Sequence, residues 1–324
     1  MSTAICMVSE FEFIDRIKSK YALHRLGDDC AVLPKDAETD LLVTADMLVE
    51  DIDFRLAWTT PEFLGHKALA VSISDIAAMG GSPNWAMLSI GIPESLWNTD
   101  FIDRFYAGWF ALAAEFDVEL VGGDVSKVPD KLVIDSIVGG ECHKGKAILR
   151  STAKPGDAIF VTGTLGGASG GLKLLENGIR FDDSLPLKRR DLILKQLQPR
   201  PHLTLSNSLI ILDIATSMID VSDGLSSDLT HICSASGVGA SIELTRLPIE
   251  PYLGANFPAD NCIDMALNGG EDLGLLFTVD RKNISLLDSL PFTNIGEITA
   301  NVGVIELIHD EVTTILEPQG YRHF

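Results

Sequence analysis

The stretch TTPEFLGHKALAVSISDIAAMGG, residues 59–81, constrains the fold more than any other. It reads as one helix with defined ends. Thr60 can cap it, Pro61 suits the first turn, and Gly80-Gly81 stops it. Near its end sits Asp75, with Val71, Ile73, Ile76, Ala77 and Met79 around it. That is not a charged, solvated face. A buried lone carboxylate is costly unless it is paired or metal-bound. For this residue alone, an Asp bonded to its helix's serines and an Asp that ligates a cation are equally good readings.

The rest of the chain alternates strands and helices around this segment. Residues 9–18 read as a short helix with Phe11, Ile14 and Ile17 facing inward. Strands are expected at 30–34, 41–46, 85–93, 117–124 and 131–140, with a helix at 99–116. The polar run KGKAILRSTAKPGD, residues 144–157, has the composition of a domain connection. The pattern then restarts, with strands at 157–163, 218–222 and 239–244. Helices are expected at 187–198, 204–217 and 223–236. The stretch NCIDMALNGGEDLGLLFTV reads as helix, tight turn and strand, and short strands follow around Gly296 and Gly303. A chain of 324 residues is long for one core. The expectation is a mixed α/β protein of two domains, residues 1–148 and 149–324.

Charge narrows the partners. There are 25 basic and 46 acidic residues, a formal net charge of −21. A generic nucleic-acid surface is not expected at that charge. Polyphosphates remain possible if cations come with them. No run of about 18 apolar residues suggests a transmembrane helix. The start, MSTAICMVSEFEF, lacks the features of a signal peptide. Five dispersed cysteines, none in a CxxC pair, suit reduced thiols in a cytoplasmic protein.

The acids are not scattered. They cluster at expected strand ends and turns: GDD at 27–29, TAD at 44–46, SISD at 72–75, GGD at 122–124, DVSD at 220–223 and GGED at 269–272. Three of these place glycine directly before the acid, where a ligand can approach the backbone. Asp46 and Asp124 each end an apolar strand, the end at which ligands gather in α/β sheets; a cap or turn role is the plain alternative. Asp220 and Asp223 flank Ser222 ahead of a helix that SDG could cap. Several carboxylates together suit Mg²⁺, with water and substrate phosphates completing its shell. DIDFRLAWTTPE fails as an EF-hand, because Arg55 and Leu56 stand where a ligand and the turn glycine belong. There is no GxxxxGK[ST] or HExxH. The run Gly163–Gly171 could cradle phosphate, but close helix–strand packing explains it better. His231 reads as a packed or surface histidine.

Taken in order, LGDDCAVL, VTADMLVEDIDF, KALAVSISDIAAMGGSP, ELVGGDVS, RSTAKPGDAIFVTGTLGGASGGL, IDVSDGLSSDLTHICSASGVGASIEL, LNGGEDLGLLFT and the terminal GYRHF resemble the thiamine-monophosphate kinase family. That family belongs to the superfamily of aminoimidazole-ribonucleotide synthetase and selenophosphate synthetase. The resemblance implies a two-domain aminoimidazole-ribonucleotide-synthetase-like fold with mixed sheets and helices packed on them. It implies phosphorylation of thiamine monophosphate by ATP with several Mg²⁺ ions, and a homodimer paired through N-terminal strands. By motif position it implies Asp29, Thr44, Asp46, Asp75, Asp124 and Asp220 as metal ligands, with Asp223 a further one. Tyr106, Gly123, Asp124, Arg150 and Ser222 fall at ATP contacts, and Asp53, Glu271 and Tyr321 at contacts to the thiamine substrate.

The chemistry agrees with that set. A phosphate acceptor has a second pKa of about 6, so its attacking oxygen is already ionised and no general base is expected. Repulsion between two anions is the obstacle, and bound cations with correct positioning reduce it. Arg150 could add a fixed positive charge. The chain departs from the family at Ala45, Asp53, Val125-Ser126, Leu273 and Gly274. These departures bear on substrate preference more than on metal or ATP binding. A related synthetase-like enzyme and a non-catalytic ATP- or metal-binding protein are the competing readings.

Overall fold

In this computed structural model, residues 10–310 and 312–321 are described. The first half runs α1 (Glu10–Tyr21), β1 (Ala31–Pro34), β2 (Thr39–Val49), α2 (Pro61–Ala78), β3 (Ser82–Pro93), α3 (Glu94–Trp97), α4 (Phe101–Phe116), β4 (Glu119–Val128) and β5 (Val133–His143). A single 3-10 turn at Arg150–Thr152 leads into the second half. There follow β6 (Ala158–Thr162), α5 (Gly167–Glu176), α6 (Leu187–Leu197), α7 (Leu203–Leu212), β7 (Ala215–Asp220), α8 (Leu225–Ser236) and β8 (Gly239–Glu243). The chain closes with α9 (Ala259–Asn268), β9 (Leu275–Val279), β10 (Phe292–Thr299), β11 (Ile305–His309) and β12 (Val312–Ile315).

Two mixed sheets result, with strand orders β1-β2-β5-β3-β4 and β12-β11-β8-β10-β6-β9-β7. In the first, β3 and β4 run parallel and the other neighbours antiparallel. β2 alternates buried even residues (Leu42, Thr44, Leu48) with more exposed odd ones, so one face lies on the core and the other is open.

Helix α2 holds the halves together. Thr60 Oγ1 accepts from Phe63 N at 3.3 Å, so the expected cap is present. The helix is buried nearly all round, as its apolar composition requires. Ile73 and Ile76 belong to the first core, while Ala77 and Ala78 join Phe160, Leu209, Met218 and Phe277 in a core under the second sheet. Ser206 Oγ donates to Ala77 O at 2.6 Å and stitches α7 to the same end. Close approach to α4 depends on glycine. A Cβ on Gly65 would lie 1.9 Å from Phe105 O, and one on Gly108 would lie 1.9 Å from Glu62 O.

Several local expectations change. β2 and β4 run past Asp46 and Asp124, so neither acid ends its strand. Pairing with β5 continues from Thr39 to Val49 and carries Asp46 inside the ladder. The expected helix 204–217 stops at Leu212. Asp213 turns left-handed there, and residues 215–217 join β7. Thr216 and Ser217 each lie 2.7 Å from Thr278 Oγ1, so sheet pairing overrides the helical pattern. In α1, Ile14 and Ile17 are half-buried and Phe13 is exposed, whereas the Phe11 side chain lies outside the described residues. Cys30, Cys142, Cys233 and Cys262 are buried free thiols; Cys6 lies outside the described residues. Among the described residues, no helix is long and apolar enough to cross a membrane.

Candidate active site

The acids of the SISD stretch do not stay within their own helix. Thr44 Oγ1 of β2 donates a short hydrogen bond to Asp75 Oδ2. The serines on either side of Ile73 serve other carboxylates: Ser72 Oγ donates to Asp46 Oδ2 at 2.7 Å, and Ser74 Oγ to Asp220 Oδ2 at 2.6 Å. The bonding within one helix that would have explained Asp75 locally is therefore not what is found. Carboxylate oxygens of Asp29, Asp75 and Asp220 lie within 4.8 Å of one another, although they come from a loop, a helix and a strand of the other sheet.

Such a cluster is electrostatically unfavourable alone. Burial pushes Asp220 up to about 7, with Asp29's charge adding to it. Burial and then Asp29 and Asp135 push Asp46 up to about 6, against the Ser72 hydrogen bond. Asp75 is raised well above the usual carboxylate range by burial and by Asp46, Asp220 and Asp29. Arg150 partly compensates. Its Nη2 lies 2.5 Å from Asp29 Oδ1 and its Nε 3.3 Å from Asp29 Oδ2. Burial works against the guanidinium charge, but Asp29, Asp220 and Asp75 together outweigh it and raise the Arg150 pKa. Asp29 itself is still raised, because burial exceeds the help from Arg150. This donor set of hard oxygens, buried and under-compensated, fits a divalent cation such as Mg²⁺.

Asp28 and Asp29 stand side by side in the GDD turn. They lie before β1, where strand alternation does not apply, and both engage Arg150. Asp28 Oδ1 accepts from Arg150 N at 2.8 Å while Asp29 takes the side chain.

The cluster opens on a cleft of about 580 Å³ between the two sheets. Asp46, Asp53, Asp75, Asp220, Ser222, Asp223, Glu271 and Tyr321 all line it. Asp53 is fixed in its turn by Val49 N at 2.7 Å. Tyr321 N donates to Asp223 O at 3.1 Å, which brings the chain's end onto the rim. Asp29, Thr44, Arg150, Tyr106, Gly123 and Asp124 are not in that lining. Tyr106 packs edge-on to Phe105 on α4, and Gly123 and Asp124 are exposed on edge strand β4.

Sequence reasoning missed several groups. Asp135 sits in mid-strand and reaches Asp46 electrostatically. Lys67 and Gln196 both bind Glu271. Asp228 and His231 lie with Asp223 in a second group within 4.8 Å. Their i, i+3 spacing on α8 was the available signal. Burial and the charge of Arg150 hold His231 down to about 4. The expected capping of α8 by SDG also differs: Gly224 is the cap residue and Asp228 Oδ2 accepts its N–H at 3.0 Å. Nor is the 163–171 run a phosphate cradle here. Asp272 fills the start of α5, accepting from Gly166 N at 2.5 Å and Ala168 N at 2.9 Å.

The family models described as AIR synthase related protein, N-terminal domain and C-terminal domain, match residues 27–148 and 154–308. The chain is 38% identical over 321 residues to thiamine-monophosphate kinase of Escherichia coli (strain K12), covering 96% of each chain. It is 37% identical to thiamine-monophosphate kinase of Bacillus subtilis (strain 168), covering 98% of this chain and 100% of that one. The solved structure of AaThiL complexed with AMPPCP and TMP superposes with a TM-score of 0.88 at 32% identity, covering 100% of both chains. The chain belongs to the thiamine-monophosphate kinase family of AIR synthase related proteins.

Proposed function

We propose that this protein transfers the γ-phosphoryl group of ATP to thiamine monophosphate, giving thiamine diphosphate and ADP, by direct in-line attack. The observation that carries this reading is the convergence of Asp29, Asp75 and Asp220 within 4.8 Å, the last two on the wall of a cleft that also holds Asp53, Glu271 and Tyr321. Full-length relatives that bear this activity in their names support it.

Asp29, Thr44, Asp46, Asp75, Asp220 and Asp223, with Asp124, are the residues we assign to Mg²⁺. Bound Mg²⁺ supplies charge neutralisation on the phosphates, which lowers the repulsion between nucleophile and triphosphate. The protein's own part is positional. Thr44, Ser72 and Ser74 fix the directions of Asp75, Asp46 and Asp220. Arg150 holds Asp29 and keeps one fixed positive charge among the acids. Ser222 sits between Asp220 and Asp223 on the cleft wall; we assign it to ATP together with Arg150, which is held beside Asp29, and with Tyr106, Gly123 and Asp124, which lie outside that lining. Asp53, Glu271 and Tyr321 hold the acceptor. No side chain is needed as a base, because the acceptor phosphate is already ionised at neutral pH.

We further propose two domains, 1–148 and 149–324, and a homodimer formed on the open side and edge of the first sheet. Met47, Met87, Val121 and Val125 are 40–61% exposed there, an apolar surface that a second copy would cover. Gly123 and Asp124 lie on that same edge strand. Light scattering on the purified protein tests this part, and a monomer at micromolar concentration refutes it.

The activity is tested by incubating the protein with ATP, Mg²⁺ and thiamine monophosphate and resolving the products by chromatography. Thiamine diphosphate and ADP in equal amounts are expected. ATP binding without product would leave a non-catalytic binding protein, and turnover of another acceptor would favour a related synthetase-like enzyme.

A further inference from the structure

Glu271 is held in an unusual way. Its backbone is left-handed at φ 68°, and Leu273, two residues on, is left-handed at φ 50°. Non-glycine residues in this region cost about 1–3 kcal/mol each and persist only where the surroundings over-determine them. Here they do. Glu271 N donates to Ser222 O at 2.8 Å, Leu273 N donates to Val221 O at 3.0 Å, and Asp272 between them is anchored on the first turn of α5.

The side chain is clamped too. Lys67 Nζ from α2 lies 2.6 Å from Glu271 Oε1, and Gln196 Nε2 from α6 donates to Glu271 Oε2. Both carboxylate oxygens are thereby taken by residues of different halves of the protein. The Lys67 side chain is only 5% exposed, whereas that of Glu271 is 31% exposed. The ammonium is thus the buried partner and the carboxylate faces the cleft. With the Gln196 N–H on Glu271, its Oε1 is buried without a hydrogen-bond partner among the described residues. An orphaned buried acceptor costs about 1–3 kcal/mol. Structural stability alone gives no reason to keep it. All three side chains line the cleft.

We propose that Lys67, with Gln196, is a positioning residue for Glu271. The pair aims the carboxylate at the acceptor and offsets its charge, so that the pocket offers an oriented hydrogen-bond acceptor rather than a bare anion. A pocket of this kind favours an acceptor that bears N–H donors on a rigid ring, and it tolerates the phosphate that the same substrate carries. A bare Glu271 would repel that phosphate, and an unclamped one would fold onto nearby donors. This inference rests on the assignment of Glu271 to the thiamine substrate.

The test is a double-mutant cycle on the full-length protein, read as KM for thiamine monophosphate, KM for ATP, and kcat. Lys67→Met and Glu271→Gln are made singly and together, with Lys67→Arg as the conservative variant and Tm measured on each. Lys67→Met is expected to raise KM for thiamine monophosphate about tenfold or more and to leave KM for ATP within about twofold. Lys67→Arg recovers most of the loss. The double variant is no worse than Glu271→Gln alone. Equal changes in both KM values, or full additivity of the two substitutions, overturn the positioning role. If Lys67→Met does not fold, Gln196→Leu takes its place: a raised KM for thiamine monophosphate with KM for ATP unchanged supports the clamp, and both KM values unchanged or altered equally overturn it. If Glu271→Gln leaves KM for thiamine monophosphate unchanged, it is the substrate assignment of Glu271 that fails.

Discussion

Replacing Asp75 with Asn separates the electrostatic role of the acid cluster from its structural one. Carboxylate oxygens of Asp75 and Asp220 lie within 4.8 Å of each other. Two full charges at that distance repel by about 3.5 kcal/mol at an effective dielectric of about 20. Arg150 offsets Asp29, which leaves Asp46 and Asp220 as the main uncompensated charges facing Asp75. Asp220 is pushed up to about 7, and burial with the neighbouring acids raises Asp75 well above the ordinary 3.8, so the metal-free cluster carries less than its full charge and about 1 kcal/mol or less of that repulsion is recovered when Asp75 becomes Asn. The amide oxygen still accepts from Thr44 Oγ1, so the fold keeps its hydrogen bond. Asp75→Asn should therefore leave Tm of the metal-free protein unchanged or raise it by about one to two degrees, abolish the further rise that Mg²⁺ produces in wild type, and cut turnover by about 100-fold or more. Thermal unfolding with and without MgCl₂, paired with the product assay, measures all three. A variant that is less stable without metal and equally active would refute the reasoning, because it would make Asp75 a structural hydrogen-bonding residue and no more.

Other expectations concern neighbouring groups. Arg150→Met strips Asp29 of its partner, with both side chains largely buried, and should destabilise the protein by about 3–5 kcal/mol in urea unfolding; a change under about 1 kcal/mol would mean that Asp29 is not charged in the folded state. Gly123 has φ 152° and a Cβ there would lie 2.0 Å from Leu88 O, so Gly123→Ala should pry β4 from β3 and cost more than about 1 kcal/mol, read as faster amide exchange on β4. The pH dependence has a fixed sign. Asp46 and Asp220 have folded pKa values of about 6 and about 7, above the ordinary 3.8, so their contribution is fully present below about 3.8 and is lost as pH rises through 6 to 7. His202 and His231 sit at about 4 and oppose this only below 6.5. Metal-free protein should thus gain Tm between pH 8 and 6.5, and Asp220→Asn should flatten that slope; a wild-type Tm that falls over this window contradicts it.

The helix from Pro61 to Ala78 shows how far local sequence reaches. Its cap, its stop and the anomaly of Asp75 are local properties, set by residues within one or two turns. The acid clusters were equally legible, since a carboxylate in an apolar stretch is conspicuous wherever the chain later goes. Their partners were not. Ser72 and Ser74 look alike in sequence, yet one serves Asp46 from the first sheet and the other Asp220 from the second. Lys67 reads as an ordinary helical lysine until Glu271, over 200 residues later, arrives against it. Asp46 and Asp124 looked like strand ends because the apolar run stops there, but ladder pairing with other strands carries both strands onward. Local steric and hydrophobic preferences act over a few residues and are written in order along the chain. Charge repulsion, burial and clamping act through space, and only the packing of the second sheet onto α2 decides which carboxylates meet and which cations stand beside them.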